Sequence, residues 1–297
     1  GDDVRRRFHL ILWNVYNFFI TYANLDQFDP ALSPKHLALS TLDKWILARL
    51  NQTISVVTQS LDKYDPYASS HAIEDLLSDI SLWYVRRSRD RIGPTVPDSD
   101  DKQACLSTLY SLLTTFSRLL APFNPYISDS IYKNLTGQES VHLSDWPKAK
   151  KLGKVDIQLI KDMKLVRKIV EMGLSQRKTA GIKVRQPLRQ MSVTSLSLSD
   201  DLAQLIKDEL NIMGVVWGKG KELSVSLDLN LDSQLLAEGR LRDLIRQVQE
   251  KRKELGARLD QKIHVTLPEL PVALAEFQRQ TLATTVKQGQ TFQVELT

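Results

Sequence analysis

The 297-residue chain has a single cysteine, Cys105. A lone thiol can form neither an internal disulfide nor a cysteine-built zinc cluster. No structural zinc is therefore expected, and the default compartment is the cytoplasm. Histidines are sparse and scattered (His9, His36, His71, His142, His264), with none at the spacing of a zinc motif. The 12 glycines never fall into G-x-G-x-x-G or G-x-x-x-x-G-K-[ST], so the common phosphate-cradling loops are excluded. Gly218-Lys-Gly-Lys221 reads as a lone turn. Long apolar runs are missing too. The most apolar stretch, Leu10 to Ile20, is short and interrupted by Asn14 and Asn17, so no membrane span is expected. The opening G-D-D-V-R-R-R-F-H-L lacks a secretion-signal core, and its first residue suggests a chain processed or cut from something longer. No nucleophile–base set is singled out by spacing. Interaction rather than reaction is what these residues offer.

What is present is ordinary globular material, 42% hydrophobic and 25% charged, enough for about two domains. The charge is unevenly placed. Residues 1–150 hold 16 Lys/Arg against 17 Asp/Glu, whereas residues 151–297 hold 24 against 18. Within the second half, Lys164, Arg167, Lys168, Arg177, Lys178, Lys183, Arg185 and Arg189 face a single acid, Glu171. Such an excess suits a polyanion, although a solvated helix face would look the same.

Helical periodicity dominates residues 1–150. Apolar stripes run through 4–25, from Leu42 to Leu61, from Ala68 to Tyr84, from Leu106 to Leu120 and from Tyr126 to Leu135. Ser40 and Asp65-Pro66 are placed to cap two of them, and Thr136-Gly137 to close another. A helical bundle is the expected result. Residues 151–297 change character. A helix over 157–180 gives way to strands at Leu188–Thr194, Val215–Trp217, Leu223–Leu227 and Ile263–Leu267, with helices near 200–210 and over 232–255. The fold class expected is mainly α, a bundle over 1–150 followed by a smaller basic α+β domain over 151–297. A shift of 75 residues lays Arg177-Lys-Thr-Ala-Gly181 on Arg252-Lys-Glu-Leu-Gly256, and Gln186 on Gln261. Duplication of one structural unit within the second domain is the expected meaning.

Two aromatic–polar constellations stand out. Trp83-Tyr84 precedes Arg86, Arg87, Arg89 and Arg91. Guanidinium groups grip phosphate in fixed geometry and stack on bases, and unpaired RNA loops expose both. The alternative puts Trp83 in the core and pairs the arginines with Asp75, Asp79 and Asp90. We expect a mainly buried Trp83 with at least two arginines turned outward. Asn14 and Asn17 sit among large apolar residues, and their amides suit either base edges or buried backbone groups.

The stretches Arg7–Asn24, Leu42–Leu50, Trp83–Arg91, Leu120–Tyr126, Ser140–Pro147 and Ala180–Leu188 resemble the C-terminal part of isoleucyl-tRNA synthetases, class I aminoacyl-tRNA synthetases. The resemblance covers nearly the whole chain. L-A-P-F-N-P-Y and S-V-H-L-S-D-W-P look shared with the valine and leucine members, whereas W-Y-V-R-R-S-R and A-G-I-K-V-R-Q-P-L look specific to isoleucine. The resemblance implies an anticodon-binding bundle followed by an α+β domain that closes on the anticodon loop. Its partners would be the tRNA for isoleucine and the catalytic domain of the parent chain. ATP and magnesium would act only in that catalytic domain, whose His-Ile-Gly-His and Lys-Met-Ser-Lys-Ser signatures do not occur here. The tRNA-binding residues then expected are Asn14, Asn17, Trp83, Arg86, Arg87, Arg89 and Arg91, with Lys183, Arg185 and Gln186 from the basic loop. The same region of a valine enzyme, or a protein-interaction scaffold, are the rivals.

Overall fold

A computed structural model describes residues 5–32, 37–93, 96–195, 197–220 and 222–297. Val4, His36 and Lys221 fall outside them. The chain divides into two compact units, 1–161 and 162–297, and each is built by its own logic.

Unit 1 is helical. A π-helical turn, Arg5–His9, leads into α1 (Leu10–Leu25). The helix α2 (Thr41–Asp62) starts on a capping box: Ser40 Oγ accepts from Asp43 N at 3.1 Å, and Asp43 Oδ2 accepts from Ser40 N at 2.9 Å. α3 (Pro66–Asp79) starts on Asp65, which accepts from Ala68 N at 2.9 Å, with Pro66 at the first helical position. A second π-helical stretch, Ile80–Val85, joins α3 to α4 (Arg86–Ile92). α5 (Asp100–Leu120) and α6 (Pro125–Thr136) come next, and α6 closes on left-handed Gly137. The apolar stripes of these helices meet in one core, with Leu12, Phe19, Trp45, Ile54, Leu76, Tyr84, Leu109 and Phe116 all buried. The segment beyond α6 is tied back onto α2, since Trp146 Nε1 donates to Thr58 Oγ1 at 2.8 Å and Lys150 N donates to Asn51 Oδ1 at 2.9 Å.

The boundary between the units falls inside α7 (Lys154–Thr179). Unit 2 then contains the same fold twice. In the first module β1 (Leu188–Thr194), α8 (Asp200–Leu210), β2 (Ile212–Gly218) and β3 (Ser224–Leu227) come after α7. In the second, β4 (Ile263–Leu267), α10 (Leu274–Thr281), β5 (Ala283–Gln288) and β6 (Gln293–Leu296) come after α9 (Ser233–Glu254). Each module carries a three-stranded sheet of identical topology. Its first strand is central, parallel to the second and antiparallel to the third. The return from first to second strand passes through a helix, as a parallel pair requires.

The two modules share one device. After α7 the chain turns at Gly181 (φ 70°), and after α9 at Gly256 (φ 67°), a left-handed conformation that favours glycine. One helical turn earlier, a buried arginine reaches across the loop. Arg177, 1% exposed, donates to the carbonyls of Lys183, Gln186 and Asn211. Arg252, 6% exposed, donates to those of Arg258, Leu259, Gln261 and Thr281.

Candidate nucleic-acid interface

Unit 1 contains a cleft of about 500 Å³ between α1 and the π-helical turn leading into α4. Asn14, Asn17, Phe18 and Thr21 fall at i, i+3, i+4 and i+7, one face of α1. Leu82, Arg86 and Arg89 come from the opposite wall. Phe18 and Tyr22 meet edge to face at 4.9 Å and form an aromatic floor. The Arg89 guanidinium lies 5.9 Å from the Phe18 ring centroid, and that of Arg86 lies 5.8 Å from the Trp83 ring. Arg86 Nε also donates to Leu82 O at 2.9 Å. Burial raises the Tyr22 hydroxyl above its usual pKa, and the charge of Arg89 partly opposes that. The cleft thus offers amides, an aromatic surface and two exposed cations in one place.

The π-helical turn is what sorts the arginines. It buries Trp83, Tyr84 and Val85 in succession. The chain then presents Arg86 and Arg89 to the cleft, with Arg86 also over the Trp83 ring, and draws Arg91 inward to Asp43. Trp83 is 8% exposed and belongs to the core rather than to a ligand surface. Arg87 is half-buried. Arg91 is committed to protein. Its Nη1 and Nη2 donate to the two oxygens of Asp43, both at 2.8 Å, and Nη2 also meets Asp101 Oδ1 at 2.8 Å. The alternative ion pairing is thus met for Arg91, but by Asp43 and Asp101 rather than Asp75, Asp79 or Asp90; Asp79 accepts from Arg49 Nε at 2.7 Å.

In unit 2, Lys183 and Val184 stand exposed on the loop after Gly181. The other expected contacts there are engaged within the protein. Arg185 pairs with Asp243, and Gln186 Nε2 donates to Leu235 O at 2.6 Å. Both partners belong to α9, so the basic loop docks on the second module. That docking has no sequence signal other than the glycine at 239, where a Cβ would run into the Gln186 amide.

Sequence reasoning missed Phe18, Thr21, Tyr22 and Leu82 in the cleft, although the stripe starting at Asn14 and the Leu82–Arg86–Arg89 spacing carry the signal. Among the described residues, no group of three or more His, Cys, Asp or Glu side chains is placed to hold a metal ion. No described helix is long and apolar enough to cross a membrane.

Residues 43–192, from the first turn of α2 into β1, match the family model described as the anticodon-binding domain of tRNA ligase. The chain is also similar to several isoleucine–tRNA ligases. It is 39% identical over 279 residues to that of Dehalococcoides mccartyi strain 195, covering 86% of this chain and 27% of the relative. It is 36% identical over 303 residues to that of Deinococcus radiodurans (99% and 25%), and 37% identical over 268 residues to that of Thermus thermophilus (86% and 26%). The chain thus spans about a quarter of the length of these relatives. By the family match over half its length, joined to a bundle that places amides and arginines around an aromatic cleft, the chain belongs to the anticodon-binding domains of tRNA ligases.

Proposed function

We propose that this chain recognises the anticodon loop of the tRNA for isoleucine, as the C-terminal part of a cytoplasmic isoleucine–tRNA ligase. The supporting observation is the cleft of unit 1. Asn14 and Asn17 present donors and acceptors that suit the edges of an unstacked base. Phe18 and Tyr22 offer a surface on which a base can stack, and Arg86 and Arg89 offer cations for its phosphates. In this reading the bundle, residues 1–150, reads bases, and the basic α+β domain, residues 151–297, supplies backbone contacts through Lys183. The remainder of the parent enzyme would bind ATP and magnesium and perform the ligation. The residues described here hold and orient the anticodon arm.

The test is a titration of the chain with the isoleucine tRNA and with a non-cognate tRNA at several salt concentrations. Arg86→Ala and Arg89→Ala are each expected to weaken cognate binding about 10-fold, or about 1.4 kcal/mol, the usual scale for a charge-assisted contact. For about five phosphates contacted, log K is expected to fall with log salt with a slope of roughly −3 to −4. Equal affinity for both tRNAs, or a flat salt response, would overturn the assignment and favour a protein-binding scaffold.

A further inference from the structure

We propose that unit 2 carries a second phosphate-binding surface, assembled from both of its modules, in which Arg242 of α9 acts together with Lys183 of the first module's loop. This surface presupposes that the chain binds tRNA, and it adds a contact from the second module.

The surface is organised by Asn211, the left-handed residue (φ 49°) that ends α8. Its Nδ2 donates to the carbonyls of Val184 at 2.9 Å and Arg185 at 3.0 Å, and so fixes the basic loop from behind. Its own carbonyl accepts from Arg177 at 3.0 Å. Its Oδ1 accepts from Arg242 Nη1. One asparagine side chain therefore holds both the Lys183 loop and the Arg242 guanidinium. Three further contacts keep α9 in that place: Gln186 to Leu235 O, Arg185 to Asp243, and Arg189 to Asp232.

The charges around this point are not equivalent. Arg185 is neutralised by Asp243, Arg246 by Glu250 one turn on, and Arg279 by Glu276. Arg242 feels the Glu276 carboxylate at a distance, but its hydrogen-bond partner is a neutral amide. A guanidinium held by an amide keeps its full charge and its remaining donors for an anion. Arg242 and Lys183 are both exposed. Arg246 lies four residues further on the same helix face, and its exposed pair with Glu250 is weak enough for a phosphate to displace. A fixed arginine and an exposed lysine whose loop is held by the same asparagine, with a second arginine one turn away, fit a run of phosphates on one strand.

The repeat provides a contrast within the same molecule. The positions 75 residues after Lys183 and Arg185 are Arg258 and Asp260, which pair with each other. Arg258 is therefore offset within the second module's own loop, which keeps only Lys262 in excess, and the second module's contribution is the α9 face.

The experiment compares Arg242→Gln with Arg240→Gln in salt-dependent titrations of tRNA. The two variants remove the same charge from the same helix. Arg240 lies on a different face, beside the apolar pocket lined by Leu241, Leu270 and Val272. Glutamine at 242 retains a donor for Asn211. We expect Arg242→Gln to weaken binding about 5-fold and to reduce the salt slope by about 0.7, the share of one phosphate on a single strand. Arg242→Lys is expected to restore the slope, and Arg240→Gln to change neither quantity. If Arg242→Gln and Arg240→Gln behave alike while Arg86→Ala weakens binding, the second surface is wrong and the anticodon cleft stands. If none of the three alters binding, the tRNA assignment itself is wrong.

Discussion

Replacing Asp43 by alanine is expected to destabilise the bundle by about 3–5 kcal/mol, the usual cost of removing one partner of a buried ion pair. Asp43 is fully buried in the first turn of α2. Its carboxylate accepts two hydrogen bonds from Arg91 at 2.8 Å, one from the Tyr84 hydroxyl at 2.5 Å, one from Ser40 N at 2.9 Å and one from Ser40 Oγ at 2.7 Å. Without it, a buried phenol loses its acceptor, a largely buried guanidinium is left with Asp101 alone, and α2 loses half of its capping box. Arg91→Met is expected to have an effect of similar size, and the double variant to cost less than the sum of the two, because the residues act as a pair. Urea unfolding monitored by the buried Trp45 and Trp83 measures this. Burial alone would raise the Asp43 pKa, but the hydrogen bonds and charge of Arg91, helped by Tyr84 and Ser40, outweigh it and hold the carboxyl below its ordinary value. A depressed carboxyl contributes stability that is complete above its unfolded pKa of about 3.9 and is lost as pH falls through the lower folded value. The wild-type bundle should therefore weaken with acid below about pH 4, and Asp43→Asn should flatten that part of the profile. An Arg91 variant that folds normally but binds tRNA weakly would reverse the assignment of this arginine to the core.

That outcome bears on how the four arginines of Trp83–Arg91 read in the sequence. Their abundance marks the region, but abundance does not distinguish a ligand cation from a structural one. The spacing does so in part. Arg87 and Arg91 lie four and eight residues beyond Trp83 and follow it inward. Arg86 and Arg89 lie four and seven beyond Leu82 and follow it to the cleft. What spacing could not show is the π-helical turn at Ile80–Val85, which has no composition of its own. The main helices were legible because their apolar stripes are long and their caps are chemically marked at Ser40, Asp65 and Gly137. The tail beyond Leu267 was not. α10, β5 and β6 are only eight, six and four residues long and rich in Thr and Gln, so each offers too few periods to read. The repeat could have supplied them, because a second copy of α7 and β1 implies second copies of α8, β2 and β3 as well. The engagement of Arg185 and Gln186 with α9 depends on contacts 58 and 49 residues away in sequence, which local pattern does not encode.

The repeat also makes the second large effect a matched pair. Arg177→Met is expected to destabilise unit 2 by about 3 kcal/mol, since three backbone carbonyls in or beside a tight loop lose their donor and each orphaned polar group costs about 1 kcal/mol or more. Arg252→Met should cost a similar amount for the carbonyls of Arg258, Leu259, Gln261 and Thr281. In both modules the loop carbonyls involved lie six and nine residues after the arginine, so a single side chain defines the conformation of each turn. Lysine should rescue neither, because a single ammonium cannot fork across carbonyls that approach from different directions. Desolvation pulls the Arg177 pKa down to about 10. The guanidinium therefore stays charged at neutral pH, and its charge is met by carbonyl dipoles. The two variants should differ in one respect only. Loosening the Arg177 loop frees the backbone that carries Lys183 and releases the Asn211 carbonyl, whose side chain holds Arg242, so tRNA binding should weaken as well. Loosening the Arg252 loop should leave tRNA binding nearly intact at temperatures where the protein is folded. Hydrogen exchange across 181–190 and 256–265, measured with the tRNA titration on the same samples, separates the two. Equal loss of binding in both variants would mean that the arginine only holds the module together and does not present the first loop to RNA.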